Sequence, residues 1–304
     1  MKPDKYTIKE QRISVGDGHK LYTQLWGNKG ANETIIFLHG GPGSGCNDKA
    51  KTMFNPLRHK VIFFDQRGSG NSQPYGSLTN NTTDDMVSDI SKIADTYNVN
   101  KFTLVGGSWG SCLALVYAIR NPDRVISMIL RGIFTGRQRE IDFLEKGSIK
   151  DFFPEVWERF VASVPKKFQK EPAKYHAGRI LGSDPEVAKS SAYALQQLEV
   201  AVIALDDREN TTDYESFDPA GAIIEWHYMQ NKCFLPEGYI LSHSNSLKMP
   251  VYIIQGRYDM VCPPFTAYEL GQALPTCKFI WTQAGHSGSD RSNWESVKAL
   301  LSTM

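Results

Sequence analysis

Short apolar runs that alternate with helical patterns constrain the fold of this chain more than any other feature of its sequence. Each run is rich in β-branched and aromatic residues and ends in glycine or a polar residue, as strands buried on both faces of a parallel sheet do. The runs lie at 34–40, 60–66, 102–107, 125–132, 251–257 and 278–285. Helical patterns lie between several of them, at 84–98, 111–122 and 264–274. The alternation predicts an α/β architecture with a mostly parallel central sheet.

Two kinds of segment depart from this alternation. Residues 11–17 and 20–28 alternate polar with apolar side chains, which predicts an antiparallel hairpin at the sheet edge. Residues 134–247 carry helical patterns without a convincing strand. We therefore expect an α/β core in two parts, 1–133 and 248–304, with a helical cap inserted at 134–247. Such a cap would cover the carboxyl ends of the strands, where open α/β sheets bind their ligands.

The charge balance and the spacing of the cysteines argue against several kinds of partner and site. The 304 residues include 34 Lys plus Arg and 33 Asp plus Glu, a balance that argues against nucleic acid or an anionic membrane as partner. The cysteines form no C-x-x-C pair, so we expect no metal site, redox motif or disulfide framework. They are Cys46, Cys112, Cys233, Cys262 and Cys277. The polar N-terminus and the shortness of the apolar runs favour a cytoplasmic protein that acts on a small molecule or peptide.

A serine stands among glycines where a predicted strand turns into a predicted helix. The segment from Gly106 to Gly110 reads GGSWG, which fits the G-x-S-x-G motif of the nucleophile elbow in α/β hydrolases. The serine backbone is strained at so sharp a bend, and glycine neighbours avoid clashes while the hydroxyl is exposed. A helix N-cap serine is the alternative interpretation. The flanking strand and helix favour Ser108 as a nucleophile.

The nucleophile needs a base, and the base needs an acid to orient it. In α/β hydrolases both follow the serine, acid first, each on a loop after a strand. Asp259 and His286 stand at such places, so we predict that they complete a triad with Ser108. Asp65 is the rival acid, but it precedes Ser108 and begins a turn-like DQRGSG segment. The remaining histidines lack the required placement: His19, His39, His59, His176, His227 and His243.

An oxyanion hole is the third element that acyl transfer requires. The glycine-rich HGGPGSG segment at 39–45 follows the predicted strand TIIFL and should approach the nucleophile from the side. Glycine permits the close approach by which backbone N–H groups face the developing negative charge. We expect Trp109, directly after the serine, to supply one N–H and Gly41 the other, with Gly40 as the alternative.

Several motifs together resemble the proline iminopeptidase (prolyl aminopeptidase) family of α/β hydrolases. They are VGDGHKLYTQLWGN, HGGPGSGC, FFDQRGSGNS, GGSWGSCLAL, LRGIFTGR and GRYDMVCP, and the likeness covers nearly the whole chain. The resemblance implies removal of an N-terminal residue, usually proline, from short peptides or aminoacyl amides, without a cofactor or metal. It also implies a helical cap in which Glu199, from LQQLEVAV, and Glu225, from AIIEWHYM, hold the α-amine of the substrate. Carboxylates over an apolar pocket suit an ammonium group, although each is also compatible with an ordinary surface position.

The chain departs from the family pattern where the side chain of the substrate would be held. Leu198 stands where the family commonly has tryptophan, and EIDFLEKG at 140–147 replaces an aromatic-rich stretch. These departures concern the strictness of proline preference and leave the triad unchanged. Cys262, close after Asp259, is expected near the pocket.

Two other functions are compatible with the same residues. An esterase, lactonase or amidase for non-peptide compounds would keep the triad and change the substrate. A catalytically silent binding protein would keep the fold alone, and the intact motifs argue against it. Haloalkane dehalogenases and epoxide hydrolases carry a carboxylate at the elbow, so Ser108 disfavours both. No pattern in the sequence predicts an oligomeric state.

Overall fold

One mixed sheet forms the centre of the molecule in the computed structural model, which describes residues 1–205 and 212–303. Its eight strands lie in the order β1-β2-β4-β3-β5-β6-β7-β8. They are β1 (Thr7–Gly16), β2 (His19–Gly27), β3 (Thr34–Leu38), β4 (Lys60–Phe64), β5 (Phe102–Ser108), β6 (Val125–Ile133), β7 (Val251–Gly256) and β8 (Cys277–Thr282). Strand β2 pairs antiparallel with β1 and β4, and all other neighbours pair parallel. The predicted edge hairpin and mostly parallel sheet are therefore confirmed.

Both faces of the sheet are buried, which explains why the strands read as continuous apolar runs. Ile36 and Ile62 pack on one face with α-helices, while Ile35 and Val61 belong to the apolar cluster on the other face. Successive side chains of a strand point to opposite faces, so neighbouring residues enter different clusters. The runs 34–40 and 60–66 end as strands at Leu38 and Phe64, because their last residues form loops at the carboxyl edge.

Helices cover both faces of the sheet and form the inserted segment. Those of the first core part are α1 (Asp48–Lys51), α2 (Thr83–Thr96) and α3 (Trp109–Arg120). The segment between β6 and β7 contains α4 (Gln138–Glu145), α5 (Pro154–Ala162), α6 (Pro172–Ile180), α7 (Pro185–Ile203), α8 (Ala220–Gln230) and α9 (Tyr239–His243). The last core part adds α10 (Pro264–Ala273) and α11 (Arg291–Leu301). No helix in the described ranges is long and apolar enough to cross a bilayer.

The inserted segment has an apolar cluster of its own, and α8 is one of the elements that join it to the core. In that cluster Phe160, Leu195 and Leu198 pack together with other side chains of α5 to α7. Tyr228 of α8 instead belongs to the main core, where its ring lies 4.8 Å from the ring of Trp109. The Tyr228 hydroxyl donates to Asn81 Oδ1 over 2.9 Å. These contacts hold the helical insertion above the carboxyl edge of β5, where Ser108 lies.

Candidate active site

The turn from β5 to α3 places Ser108 in a backbone conformation that L-residues rarely adopt. Its φ is 58° and its ψ is −129°. A Cβ added to Gly110 would lie 2.2 Å from the carbonyl oxygen of Leu38, so glycine is required at that position. The Ser108 side chain makes no capping hydrogen bond to α3, which contradicts the N-cap interpretation. The strain expected at a nucleophile elbow is present.

Asp259 and His286 lie together at the carboxyl ends of β7 and β8. The His286 Nδ1 atom is 2.8 Å from Asp259 Oδ2, and both side chains are almost fully buried. The other carboxylate oxygen of Asp259 accepts the backbone N–H groups of Val261 and Cys262, over 3.0 and 2.7 Å. Because Nδ1 faces the acid, the Nε2 atom is the ring nitrogen left for proton transfer.

Gln255 is a positioning residue that the sequence interpretation missed. Its Nε2 donates to Asp259 Oδ2 over 3.2 Å and to the Cys262 carbonyl oxygen over 3.0 Å. Its Oε1 accepts the backbone N–H of Ile133 over 2.9 Å, so Gln255 ties β6 to the acid. The signal was present, since a glutamine inside the apolar run VYIIQG is buried and needs hydrogen-bond partners.

The end of β6 holds the histidine from its other side. Arg131 Nη1 donates to the carbonyl oxygen of His286. Burial lowers the pKa of the Arg131 guanidinium, and the nearby Asp259 carboxylate opposes this shift. Gly132 has a φ of +55°, and a Cβ there would lie 3.0 Å from two ring atoms of His286. The histidine ring therefore occupies space that a side chain at position 132 would need.

The structure brings Ser108 and His286 to one cavity without a direct hydrogen bond between them. Both line a space at the carboxyl edge together with Gly41 and Glu199. The Asp65 carboxylate is engaged elsewhere, because it accepts the backbone N–H groups of Cys46 and Asn71 over 2.7 and 2.8 Å. None of the other six histidines bonds to a carboxylate of the described chain.

The predicted oxyanion loop lies directly beside the serine. A Cβ added to Gly40 would be 3.4 Å from Ser108 Cβ, and Gly41 lines the cavity with the serine. Trp109 is the first residue of α3, where a backbone N–H has no intrahelical acceptor. Gln66 fixes both parts, since it accepts the Trp109 indole N–H over 2.9 Å and donates to the His39 carbonyl oxygen over 3.0 Å.

Glu199 of α7 and Glu225 of α8 line both the space shared by Ser108 and His286 and a second cavity that adjoins it at Ser108. This cavity measures about 90 Å³, and Cys262 contributes to its wall, as predicted. Its apolar lining includes Phe134, Leu144, Leu195, Leu198, Trp226 and Met229. Neither carboxylate makes a hydrogen bond or ion pair with any residue in 1–205 or 212–303. A largely apolar space whose acidic groups have no partner among the described residues is suited to a small cationic ligand.

Burial controls the ionisation of these two carboxylates. It raises the pKa of Glu199, which His286 partly opposes and Asp259 reinforces. Burial and the neighbouring Glu199 raise the pKa of Glu225 well above its usual range. The interactions form a chain from His286 through Glu199 to Glu225. A cation bound by Glu199 would therefore also interact electrostatically with the histidine.

No three His, Cys, Asp or Glu side chains in the described ranges are arranged to hold a metal ion. What the arrangement supplies instead is a strained serine, a histidine oriented by a carboxylate, and backbone N–H groups beside the serine. These are the components of acyl transfer through a covalent intermediate.

Comparison with known proteins identifies the family of the chain. A family model described as alpha/beta hydrolase fold matches residues 33–290. The proline iminopeptidase of Xylella fastidiosa is 35% identical over 291 residues, which cover 94% of this chain and 93% of that protein. The proline iminopeptidase of Arabidopsis thaliana is 36% identical over 286 residues, or 91% of this chain and 75% of the relative.

A solved structure agrees at the level of the fold. The proline iminopeptidase of Mycobacterium smegmatis aligns with a TM-score of 0.61 and 17% identity, covering 97% of this chain and 98% of the other. At that identity the likeness concerns the fold alone, and the sequence relatives carry the assignment to a family. The chain belongs to the proline iminopeptidase family of α/β hydrolases.

Proposed function

We propose that the protein is a serine aminopeptidase that releases an N-terminal residue, proline among those accepted, from short peptides and aminoacyl amides. The observation that carries the proposal is that Glu199 and Glu225, in the cavity that Ser108 also lines, have no hydrogen-bond or ion-pair partner in the described part of the chain. A buried carboxylate without a partner is costly, and an ammonium group is the partner that removes this cost. The free α-amine of a peptide is such a group.

The proposed reaction proceeds through an acyl-enzyme. Ser108 Oγ attacks the scissile carbonyl carbon while His286 Nε2 takes the hydroxyl proton. The backbone N–H groups of Trp109 and Gly41 donate to the carbonyl oxygen as it becomes negative. His286 then gives the proton to the leaving amine, and the C–N bond breaks. Water then attacks the carbonyl carbon of the acyl-enzyme while His286 takes one of its protons and passes it to Ser108 Oγ, so that the ester C–O bond breaks, the N-terminal amino acid leaves and the serine is regenerated.

Asp259 stabilises the imidazolium that forms in each half of this reaction. Its carboxylate is fixed by two backbone N–H groups and by Gln255, so it cannot turn away from His286 during proton transfer. A base held in one orientation loses little free energy to reorganisation in the transition state.

The cap glutamates would restrict cleavage to the first peptide bond. Glu199 interacts electrostatically with His286, so an ammonium group bound by it is near the reacting carbonyl. An acylated or internal nitrogen is neutral and leaves both carboxylates unpaired, which a buried polar site penalises strongly. We also propose a cytoplasmic location, which the five free cysteines support.

A release assay with purified protein tests the proposal. The substrates are β-naphthylamides of proline, alanine and leucine, N-acetylproline β-naphthylamide, and a neutral p-nitrophenyl ester. We expect hydrolysis of the free-amine substrates and none of the acetylated one. Rapid ester hydrolysis without aminoacyl release would keep the triad and reject the peptidase.

A further inference from the structure

A third carboxylate, that of Glu145, lies in the wall of the same cavity. It is the last residue of α4 and shares the cavity with Ser108, Glu199 and Glu225. It makes no hydrogen bond or ion pair with any residue that the structure describes. Its neighbour Lys146 is paired with Asp142 over 2.6 Å, so the nearest cation is already engaged.

Glu140, the fourth acidic residue of the cavity, differs from Glu145 because its carboxylate has partners within the protein. Glu140 accepts the Arg137 Nε–H over 2.8 Å and the Thr135 backbone N–H over 2.7 Å. Its charge is therefore neutralised within the protein. Glu145 has no such partners, and the α-amine of a substrate would occupy Glu199 and Glu225. One acidic group is left for a second cation.

The side chain of Gln196 is a second observation, independent of Glu145, that indicates a polar subsite. It lies one turn before Glu199 on α7 and lines the same cavity. Its Oε1 is buried without a hydrogen-bond partner in 1–205 and 212–303. Buried acceptors are nearly always satisfied, so an unpartnered one in a binding cavity indicates a donor on the ligand.

The cavity wall beside Glu145 suits a long side chain. Ile141, Trp226 and Met229 border both this cavity and an outer cleft, and Glu145 stands among them. A side chain with an apolar stem and a charged end packs its methylene groups on such a wall and directs its charge to the carboxylate. Lysine and arginine have this form.

We propose that Glu145 and Gln196 form a subsite for a basic side chain, so that the enzyme releases N-terminal lysine and arginine as well as proline. The proposal rests on the aminopeptidase function proposed above. Glu145 pairs with the terminal ammonium or guanidinium group, and Gln196 Oε1 accepts one of its N–H groups. Both are specificity-determining residues, and neither takes part in proton transfer.

The test compares kcat/KM for lysyl and norleucyl β-naphthylamides, which differ in the terminal amine. We expect the lysyl substrate to be preferred at least about tenfold, the scale of a charge-assisted hydrogen bond. Glu145→Gln should remove that preference and keep the activity on prolyl β-naphthylamide. Gln196→Leu should reduce the preference by a smaller factor. Glu171→Gln is the matched control, because Glu171 borders the outer cleft alone and is paired with Lys174.

The pH dependence of the lysyl-to-norleucyl ratio distinguishes a binding role of Glu145 from a purely structural one, since a structural role would leave that ratio independent of pH. Burial raises the pKa of Glu145 to about 7, Asp142 adds to the shift and Lys146 opposes it. The lysyl-to-norleucyl ratio should therefore rise as the pH increases through about 7, because the carboxylate becomes charged. The ratio cancels the ionisation of the α-amine and of the triad, which both substrates share. Other charged or titratable groups also border the cavity and the outer cleft. They are Glu140, Asp142, Lys146, Lys170, Glu171, Lys174, Glu199, Glu225, Lys232 and Cys262.

The outcomes separate this proposal from the aminopeptidase function. Equal rates on lysyl and norleucyl substrates, with proline released normally, would overturn the subsite and keep the aminopeptidase. A lysyl preference that survives Glu145→Gln would also overturn it. Absence of release from every aminoacyl substrate would overturn both. Prolyl activity retained by Glu145→Gln and Gln196→Leu shows that these variants are folded.

Discussion

The catalytic carboxylate of the core and the cavity carboxylates of the cap differ in how many hydrogen bonds they accept from the protein. Asp259 in the core receives hydrogen bonds from Val261, Cys262, Gln255 and His286. Glu199, Glu225 and Glu145 in the cap receive none from the described residues. A carboxylate whose hydrogen bonds are complete is fixed before substrate arrives. A buried one without partners gains them only when a cation binds.

This difference divides the proposed reaction into two tasks. The core positions the reacting groups independently of the substrate, whereas the cap recognises the substrate by its charge. Raised pKa values accompany the second task, since burial disfavours the ionised form of all three cap glutamates. The cap therefore stores an unfavourable electrostatic free energy that binding releases. Substitutions in the core should therefore affect all substrates alike, whereas substitutions in the cap should affect substrates according to their charge.

The largest effect is expected at the core serine. Ser108→Ala removes the atom that would attack the carbonyl carbon, and we expect kcat to fall by about 10⁴-fold or more on every substrate. The fold should be unchanged, because the Ser108 side chain makes no capping hydrogen bond. Steady-state kinetics on prolyl β-naphthylamide and thermal unfolding measure the two quantities. Turnover by purified Ser108→Ala well above a blank from a strain without the protein would refute the covalent mechanism.

Substitutions in the cap should separate substrates by charge. Glu199→Gln and Glu225→Gln should each lower kcat/KM on free-amine substrates by about 10- to 100-fold, the scale of one charge-assisted hydrogen bond. A neutral p-nitrophenyl ester should be hydrolysed at a nearly unchanged rate, because it has no ammonium group to lose. An equal loss on both substrates would mean that these carboxylates act on the triad.

The sequence predicted the core part of the site, because local sequence patterns determine its strands and catalytic residues. Buried strands are apolar runs, and the elbow is a short motif, so β5 and Ser108 were recognisable without the fold. Asp259 and His286 followed from the rule that the acid and the histidine stand after strands. The predicted helical cap covers Pro172–Ile180, but the sequence does not mark this helix individually, because PAKYHAGRI has few apolar residues to indicate a buried face.

The specificity residues were harder to predict for a physical reason. Helical periodicity indicates which face of α4 or α7 is buried, but it does not tell whether that face meets protein or a cavity. Glu145 and Gln196 look like ordinary helix residues in EIDFLEKG and LQQLEVAV. Their meaning depends on how the cap helices pack around the space above Ser108, which is a property of the tertiary structure.

Gly132→Ala, beside His286, tests the difference between core and cap, because it changes the core without removing a catalytic side chain. In Gly132→Ala the new Cβ would lie 3.0 Å from the His286 ring at a φ of +55°, so the ring must move. A displaced base costs rate, and we expect kcat to fall about tenfold with amine selectivity unchanged. Gly178→Ala is the control, since nothing lies within 4 Å of its Cβ. It should leave kcat unaltered, and similar losses in both variants would contradict the positioning role.

The smallest effect is expected in stability, where the cap should respond with the opposite sign to the core. The pKa of Glu225 is raised above 4.5 in the folded protein, so the folded state binds its proton more tightly than the unfolded state does. The free energy of unfolding contributed by this group is therefore complete at low pH and is lost as pH rises through the raised pKa.

Glu225→Gln removes this loss, because its side chain stays neutral at every pH. The variant should match the parent at pH 4 and be more stable at pH 8 by about 1–2 kcal/mol, the scale on which removing a buried unpaired charge helps. Urea unfolding of both proteins at the two values of pH measures the difference. Asp259→Asn supplies the comparison from the core and should destabilise, since its hydrogen bonds are complete. If Glu225→Gln were also destabilising at pH 8, the cap carboxylate would have a partner within the protein and the contrast between the two regions would fail.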